Sequence, residues 1–188
     1  MKEKHKEIEA KAHITPFEKD SLIQKFNKMY GTSKSEIKKD TYFEDEDGTH
    51  SRIREEGDEY IYTKKRQSMK GSIEVNDEDE KILSESQKDV YIQSHRILLF
   101  KSKQGYIWTT AIQNGTESYQ MNIEIVKVEG QYKDKAHRDL GWFLEVELLI
   151  PNADTTTIEW GTNTINAFFK DNALELKIEK RKYMEMLQ

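Results

Sequence analysis

Glu7-Ile8-Glu9-Ala10-Lys11 carries a charge at every second residue, with Ile8 and Ala10 between. Successive side chains of a strand alternate sides, so both carboxylates and the ammonium share one face. Two carboxylates that close repel one another unless a cation lies between them, either a metal ion or a cluster of basic side chains. A solvated sheet edge would carry the same pattern. The device recurs, however: Arg52-Ile53-Arg54 and Glu145-Val146-Glu147 are again like charges flanking an apolar residue. A solvated surface rarely needs so many charges in strand-like segments, and the recurrence points to a polar interior.

Composition fits that reading. Hydrophobic residues make up 35% of the 188 and charged residues another 35%. The apolar residues are grouped into periodic segments, which separates the chain from disordered sequences. Its length suits one domain, 1–188. The net charge of −5 argues against a nucleic-acid partner, despite the basic run Lys64-Lys65-Arg66. The absence of cysteine excludes disulfides, thiolate metal sites and a cysteine nucleophile. No apolar run approaches the ~18 residues of a membrane span, and the charged start lacks a signal-like apolar region. We expect a cytoplasmic protein with no membrane partner, a monomer or a homodimer.

The first strand leads into a helix start at Thr15-Pro16-Phe17-Glu18, with Thr15 as cap, Pro16 at the first position and Glu18 closing a capping box. Phe17, Leu22, Ile23, Phe26, Met29 and Tyr30 recur at helical spacing as core positions, and Gly31 stops the helix. Asp40-Thr41-Tyr42-Phe43 reads as a strand before the acidic turn Glu44-Asp45-Glu46-Asp47-Gly48, which lacks the spaced carboxylates of a calcium loop. Strands follow around Arg52–Arg54 and Tyr60–Lys65. Asp77 is expected to cap a short helix carrying Ile82 and Leu83. Val90 to Ile150 reads mostly as strand, with turns at Gln104-Gly105 and Asn114-Gly115 and a loop over Gly130–Leu140. Thr155–Lys170 and Glu179–Leu187 read as helices. The order gives an α+β chain dominated by antiparallel sheet.

Several chemistries are missing. No glycine-rich phosphate loop, no G-x-S-x-G and no paired-histidine zinc spacing occurs. What remains is alternating charge: Glu7, Glu9, Glu74, Glu124, Glu145 and Glu147 against Lys11, Arg52, Arg54, Lys64 and Arg96. Carboxylate oxygens suit Mg²⁺ or Mn²⁺, and arginines one pleat apart suit phosphoryl oxygens. Brought together, they describe a site for a polyanion with its divalent metal.

The pattern resembles the CYTH, or triphosphate tunnel, superfamily. Glu7-Ile8-Glu9-Ala10-Lys11 is similar to its opening E-x-E-x-K, and Asp40-Thr41-Tyr42-Phe43, Arg52-Ile53-Arg54, Lys64 and Arg96 follow in order. Leu140-Gly141-Trp142-Phe143-Leu144-Glu145-Val146-Glu147 resembles the late G-x-F-x-E-x-E strand, and Arg181-Lys182-Tyr183 the terminal R-S-Y element. The resemblance spans nearly the whole chain. It implies an eight-stranded antiparallel β-barrel around a charged tunnel, with helices packed outside and Ile8, Ile53, Leu144 and Val146 facing them. It further implies metal held by Glu7, Glu9, Glu124, Glu145 and Glu147, phosphates held by Lys11, Arg52, Arg54, Lys64 and Arg96, and catalytic roles for Lys11 and Lys64. Three departures stand out. Ser94 occupies the place of a lysine implicated in activating water, Ser72 that of a basic residue near Glu74, and Glu124 that of an aspartate.

The expected function is a divalent-metal-dependent enzyme on a triphosphate-containing small molecule, a phosphohydrolase of inorganic, thiamine or nucleoside triphosphate. The alternatives are a class IV-type adenylyl cyclase and, because of Ser94, a non-catalytic triphosphate or polyphosphate sensor. The H-F pair that precedes E-x-E-x-K in cyclases is absent, since Lys6 follows His5, and this favours hydrolysis.

Overall fold

The computed structural model describes residues 5–45, 49–151 and 153–188. The strands are β1 (His5–Ile14), β2 (Lys34–Glu44), β3 (His50–Glu56), β4 (Glu59–Lys70), β5 (Ile73–Leu83), β6 (Arg96–Asn114), β7 (Glu117–Tyr132) and β8 (Arg138–Pro151). The helices are α1 (Pro16–Tyr30), α2 (Glu85–Ser94), α3 (Thr155–Asp171) and α4 (Tyr183–Leu187), with a 3₁₀ turn at Glu175–Lys177. All strand pairs are antiparallel, and they close in the order β1-β5-β4-β3-β2-β6-β7-β8. This is the expected eight-stranded α+β barrel. No described helix is long and apolar enough to cross a membrane.

The alternation is inverted relative to an ordinary small barrel, whose interior is filled with side chains. On β1, Ile8 and Ala12 are fully buried outside the barrel, while Glu7, Glu9 and Lys11 line its interior. On β8, Leu144, Val146, Leu148 and Ile150 form the outer face and Glu145 and Glu147 the inner one. The outer residues are covered by Leu22 and Phe26 of α1 and by Ile165 and Phe169 of α3. Burying each such side chain contributes about 1.5–3 kcal/mol, so the helices supply the core that the tunnel cannot. Gly161 lets α3 approach β1 and β8: a Cβ there would stand 2.5 Å from Ile8 Cδ1. A second outer cluster, Phe43, Ile53 and Leu83, lies under Tyr91 and Ile92 of α2.

Local signals decide most boundaries. Thr15 caps α1, and Glu18 closes the capping box by accepting from the Thr15 N–H at 2.8 Å. Phe17 is exposed, because five residues before Leu22 places it on the far side of the helix; Met29 is exposed as well. Asp77 caps no helix. The two-residue period of Glu74, Asn76 and Glu78 continues to Leu83 as β5, and the helix begins only after Ser84, whose Oγ accepts from Gln87 N–H. The Gly130–Leu140 loop shrinks to residues 133–137, and the helical tail to α4. In the acidic turn, Glu46, Asp47 and Gly48 lie outside the described residues.

Asn114-Gly115 is a hairpin turn with Gly115 at φ 62°, but Gln104-Gly105 is continuous strand. Gly105 pairs with Val126, and a Cβ on it would fall 2.0 Å from the Ile125 carbonyl oxygen. The glycine marks a close backbone approach, not a turn. Since backbone cannot rotate away as a side chain can, Gly105→Ala should destabilise the fold by about 2 kcal/mol or more in urea unfolding. A change within about 0.5 kcal/mol would show that β6 and β7 separate freely there.

Candidate functional site

The barrel encloses a tunnel of about 1420 Å³ lined by inward side chains of every strand and by α4. The register stacks these in layers. Glu9 stands opposite Glu74 of β5 and Glu147 of β8, and Lys11 stands opposite Glu145. Glu145 in turn faces Glu124 of β7. Potential ligand atoms of Glu7, Glu9 and Glu147 lie within 4.8 Å of one another.

These carboxylates lack enough positive charge. Burial, with Glu9 beside it, pushes Glu74 up to about 7, although Lys11 Nζ donates to it at 3.1 Å. Burial, followed by Glu7, Glu124 and Glu9, holds Glu147 well above the usual carboxylate range. Glu124 differs: burial pushes it up, but Lys103 and Lys38 outweigh that and the net shift is downward. Lys38 Nζ donates to Glu124 at 2.7 Å, and Lys103 donates to Glu145.

The opposite wall is basic, organised by Asp40 of β2. Its side chain has 0% exposure and accepts from Arg54 Nε at 2.7 Å and Nη2 at 3.1 Å, with Lys101 Nζ at 2.9 Å and Arg52 at 4.0 Å. Burial pushes the Asp40 carboxyl up, but Arg54, Lys101 and Arg52 outweigh it and hold it well below the ordinary range. Bidentate pairing of this kind fixes the guanidinium plane. Arg52 donates through Nη2 to Thr63 at 3.0 Å, while its buried Nε has no partner among the described residues.

Tyr183 of α4 completes the site from below. Its hydroxyl donates to Glu145 at 2.5 Å, and its ring meets Lys11, Lys101 and Lys103 at 5.2, 5.1 and 5.4 Å. Burial, with Glu145 beside it, pushes the phenol well up, so it stays a donor.

Of the residues expected from sequence, the fold brings Glu7, Glu9, Glu124, Glu145, Glu147, Lys11, Arg52 and Arg54 into the tunnel. It does not bring Lys64 or Arg96. Lys64 has the outward parity of Tyr62 and pairs with Asp45 at 3.2 Å; Arg96 begins β6 with its side chain 71% exposed, near Glu44. Ser94 ends α2, its hydroxyl donating to the Val90 carbonyl, so no tunnel lysine has been lost there. The inward positions of β6 are Lys101 and Lys103, which sequence reading passed over, as it did Lys38 and Asp40 as paired tunnel groups. Their signal was present: Lys38-x-Asp40 and Lys101-x-Lys103 repeat the period of Glu7-x-Glu9-x-Lys11.

A divalent cation fits this donor set. All its potential ligands are carboxylate oxygens, which suit hard ions such as Mg²⁺ or Mn²⁺, and carboxylates outnumber basic side chains along the lining.

No protein-family model and no curated protein matches the sequence. Solved structures do. A conserved hypothetical protein from Pyrococcus furiosus is 22% identical, with a TM-score of 0.66 over 95% of this chain and 98% of that one. A Bacillus halodurans protein described provisionally as an adenylate cyclase is 16% identical, with a TM-score of 0.60 over 97% of each chain. An adenylyl cyclase homologue from Hippeastrum, described as having a dominant triphosphatase activity, is 14% identical, with a TM-score of 0.54 over 90% and 88%. The chain shares the fold of these structures, a closed eight-stranded antiparallel barrel. Within that fold, the acidic layer of β1, β5 and β8 and the basic wall of β2, β3 and β6 face one another across the same cavity.

The raised carboxyls give the tunnel a pH signature. Glu74 holds its proton more tightly folded, at about 7 against the usual 4.5. Its contribution to stability is therefore full below about 4.5 and is lost as pH rises through about 7. The metal-free protein should melt higher at pH 5 than at pH 8 as far as this group governs it. In Glu74→Gln that difference should shrink, with Glu147 and Glu36, raised in the same direction, contributing to the remainder. An identical pH dependence in wild type and variant would remove Glu74 from the balance.

Proposed function

We propose that the tunnel binds a triphosphate with Mg²⁺ or Mn²⁺ and hydrolyses its terminal phosphoanhydride. The observation that carries this reading is the oxygen-only trio Glu7, Glu9 and Glu147 within 4.8 Å, in one cavity with Lys11, Lys38, Arg52, Arg54, Lys101 and Lys103. Acid alone would suit a metal store, and base alone an anion sink; both together suit a metal-bound polyphosphate.

Arg52, Lys101 and Lys103 project from adjacent parts of the wall and meet phosphoryl oxygens, while Arg54 is oriented by Asp40. Lys11 shares β1 with Glu7 and Glu9, which assigns it to the reacting phosphoryl group, where its ammonium stabilises charge on the leaving oxygen. Glu124 and Glu145 are committed to Lys38 and Lys103, so they act as outer members of the metal-side cluster. A bound divalent cation supplies charge neutralisation and Lewis-acid activation of water. Hydrolysis joins a water oxygen to the terminal phosphorus as the bridging P–O bond breaks; the shortened chain leaves on the oxygen that Lys11 neutralises, orthophosphate is the second product, and the released proton passes to solvent. Phosphoryl transfer asks mainly for this positioning and charge.

The Hippeastrum homologue's described activity supports hydrolysis. Cyclisation, in which a ribose 3′-hydroxyl attacks the α-phosphorus and pyrophosphate leaves, is the second reading, favoured by the Asp40-Thr41-Tyr42-Phe43 pattern and the Bacillus neighbour's description. The sensor reading draws on Ser94, which ends α2 with its hydroxyl on the Val90 carbonyl, so its test is turnover itself.

Incubation with inorganic triphosphate, thiamine triphosphate and ATP in Mn²⁺, with products identified, separates the three. Orthophosphate is the expected product; cyclic AMP with pyrophosphate would replace hydrolysis by cyclisation, and binding without turnover would remove the enzyme. Arg52→Ala should weaken triphosphate binding by about 1.5–3 kcal/mol, the scale of a charge-assisted hydrogen bond. Unchanged affinity by calorimetry would take Arg52 out of the site.

A further inference from the structure

Asn76 lies on β5 directly opposite Glu7 of β1, between Glu74 and Glu78, both of which line the tunnel. It is 0% exposed, and neither its Nδ2 nor its Oδ1 has a hydrogen-bond partner among the described residues. A buried carboxamide with both ends unpaired is costly, and native proteins leave few such groups without a reason. Packing alone gives none, because leucine has the same branching of heavy atoms and would carry no such polar cost. Residues directly opposite in an antiparallel pair have Cβ atoms about 5 Å apart, so the amide stands beside the carboxylate of Glu7. Another carboxylate at this place would add repulsion to the trio. A carboxamide adds an oxygen ligand and no charge.

We propose that Asn76 is a neutral ligand of the divalent cation held by Glu7, Glu9 and Glu147, contributing its carboxamide oxygen. The inference rests on the metal reading of the tunnel given above, and it adds a residue that the charge pattern alone does not select. It accounts for the orphaned amide: the cation is the missing partner of Oδ1. It also accounts for the choice of asparagine on a strand whose neighbouring inward positions are glutamates.

The test is calorimetric titration of the metal-free protein with Mn²⁺ alone, for wild type, Asn76→Leu, Asn76→Asp and Glu9→Gln, with thermal unfolding of each before metal is added. Asn76→Leu is expected to melt no lower than wild type yet to bind Mn²⁺ about ten- to hundredfold more weakly, the range for a lost supporting ligand. Asn76→Asp, which keeps the oxygen, should bind at least as tightly as wild type. Asn76→Ala reads the same way if the leucine variant does not fold. Unchanged Mn²⁺ affinity in a folded Asn76→Leu or Asn76→Ala, with Glu9→Gln weakened, overturns the role of Asn76 and leaves the metal site standing. No Mn²⁺ binding by wild type, or none lost in Glu9→Gln, overturns both.

Discussion

Charge placed inside a closed sheet has to be answered by other charge, and the rest of this structure follows from that constraint. A strand has two faces, and here the inner one is given to carboxylates, lysines and arginines. The fold then cannot obtain its core from the barrel interior. It obtains it outside, where Ile8, Leu144, Val146 and Leu148 are fully buried under α1 and α3, and Ile53 nearly so under α2. The helices are thus not accessory. Removing their apolar faces would expose the outer wall of the barrel and leave ion pairs as the main support, and buried ion pairs roughly break even against desolvation.

The internal charges are balanced unevenly. On the side of β2, β3 and β6, Asp40 is surrounded by Arg54, Lys101 and Arg52, and its carboxyl is held low despite full burial. On the side of β1, β5 and β8 the carboxylates face each other, and Glu74 and Glu147 are pushed up instead. Lys11 is paired with Glu74, yet burial and the neighbouring carboxylates still raise the carboxyls on that side of the tunnel. The two sides of the cavity therefore differ in how their charge is answered.

Much of this was legible in the sequence because the period-two signal is local. Glu7-Ile8-Glu9-Ala10-Lys11 shows both faces of β1 without any tertiary information, and Thr15 with Glu18 marks α1 by capping chemistry alone. What failed did so where a local signal has two meanings. Glycine in Gln104-Gly105 marks close packing of β6 on β7, which only the neighbouring backbone reveals. Asp77 resembles a cap but lies in a strand whose outward residues are charged too, so polarity did not mark the strand's end. Lys64 and Arg96 are basic residues near the right strands. Parity excludes the first, and position at the strand's start excludes the second, and both depend on a register that one residue of slip inverts. The same slip hid Lys101 and Lys103 behind Arg96. Asn76 was illegible for a different reason: an asparagine in a strand is informative only once its amide is known to be buried and unpaired.

The C-terminal segment shows how the tunnel lysines are placed. Its backbone is tied to β1 by the Glu179 N–H donating to the Lys11 carbonyl at 2.8 Å and by the Ala12–Ile178 bridge. From that anchor α4 lays Tyr183 and Met186 on Val126, Val128 and Phe143. The Tyr183 ring then stands among the ammonium groups of Lys11, Lys101 and Lys103. A ring face attracts a cation by about 0.5–2 kcal/mol, enough to offset part of the repulsion among three like charges and too little to consume them. Each lysine also meets a carboxylate: Lys11 meets Glu74, Lys101 meets Asp40, and Lys103 meets Glu145 and, at 3.9 Å, Glu124. Those carboxylates lie on the two walls, whereas the ring lies between them. The lysines are spread around the tunnel by these partners, while Arg54 is held by both oxygens of Asp40, which also meets Lys101. One wall of this space is thus oriented by Asp40, and its lysines stand between carboxylates and an uncharged ring.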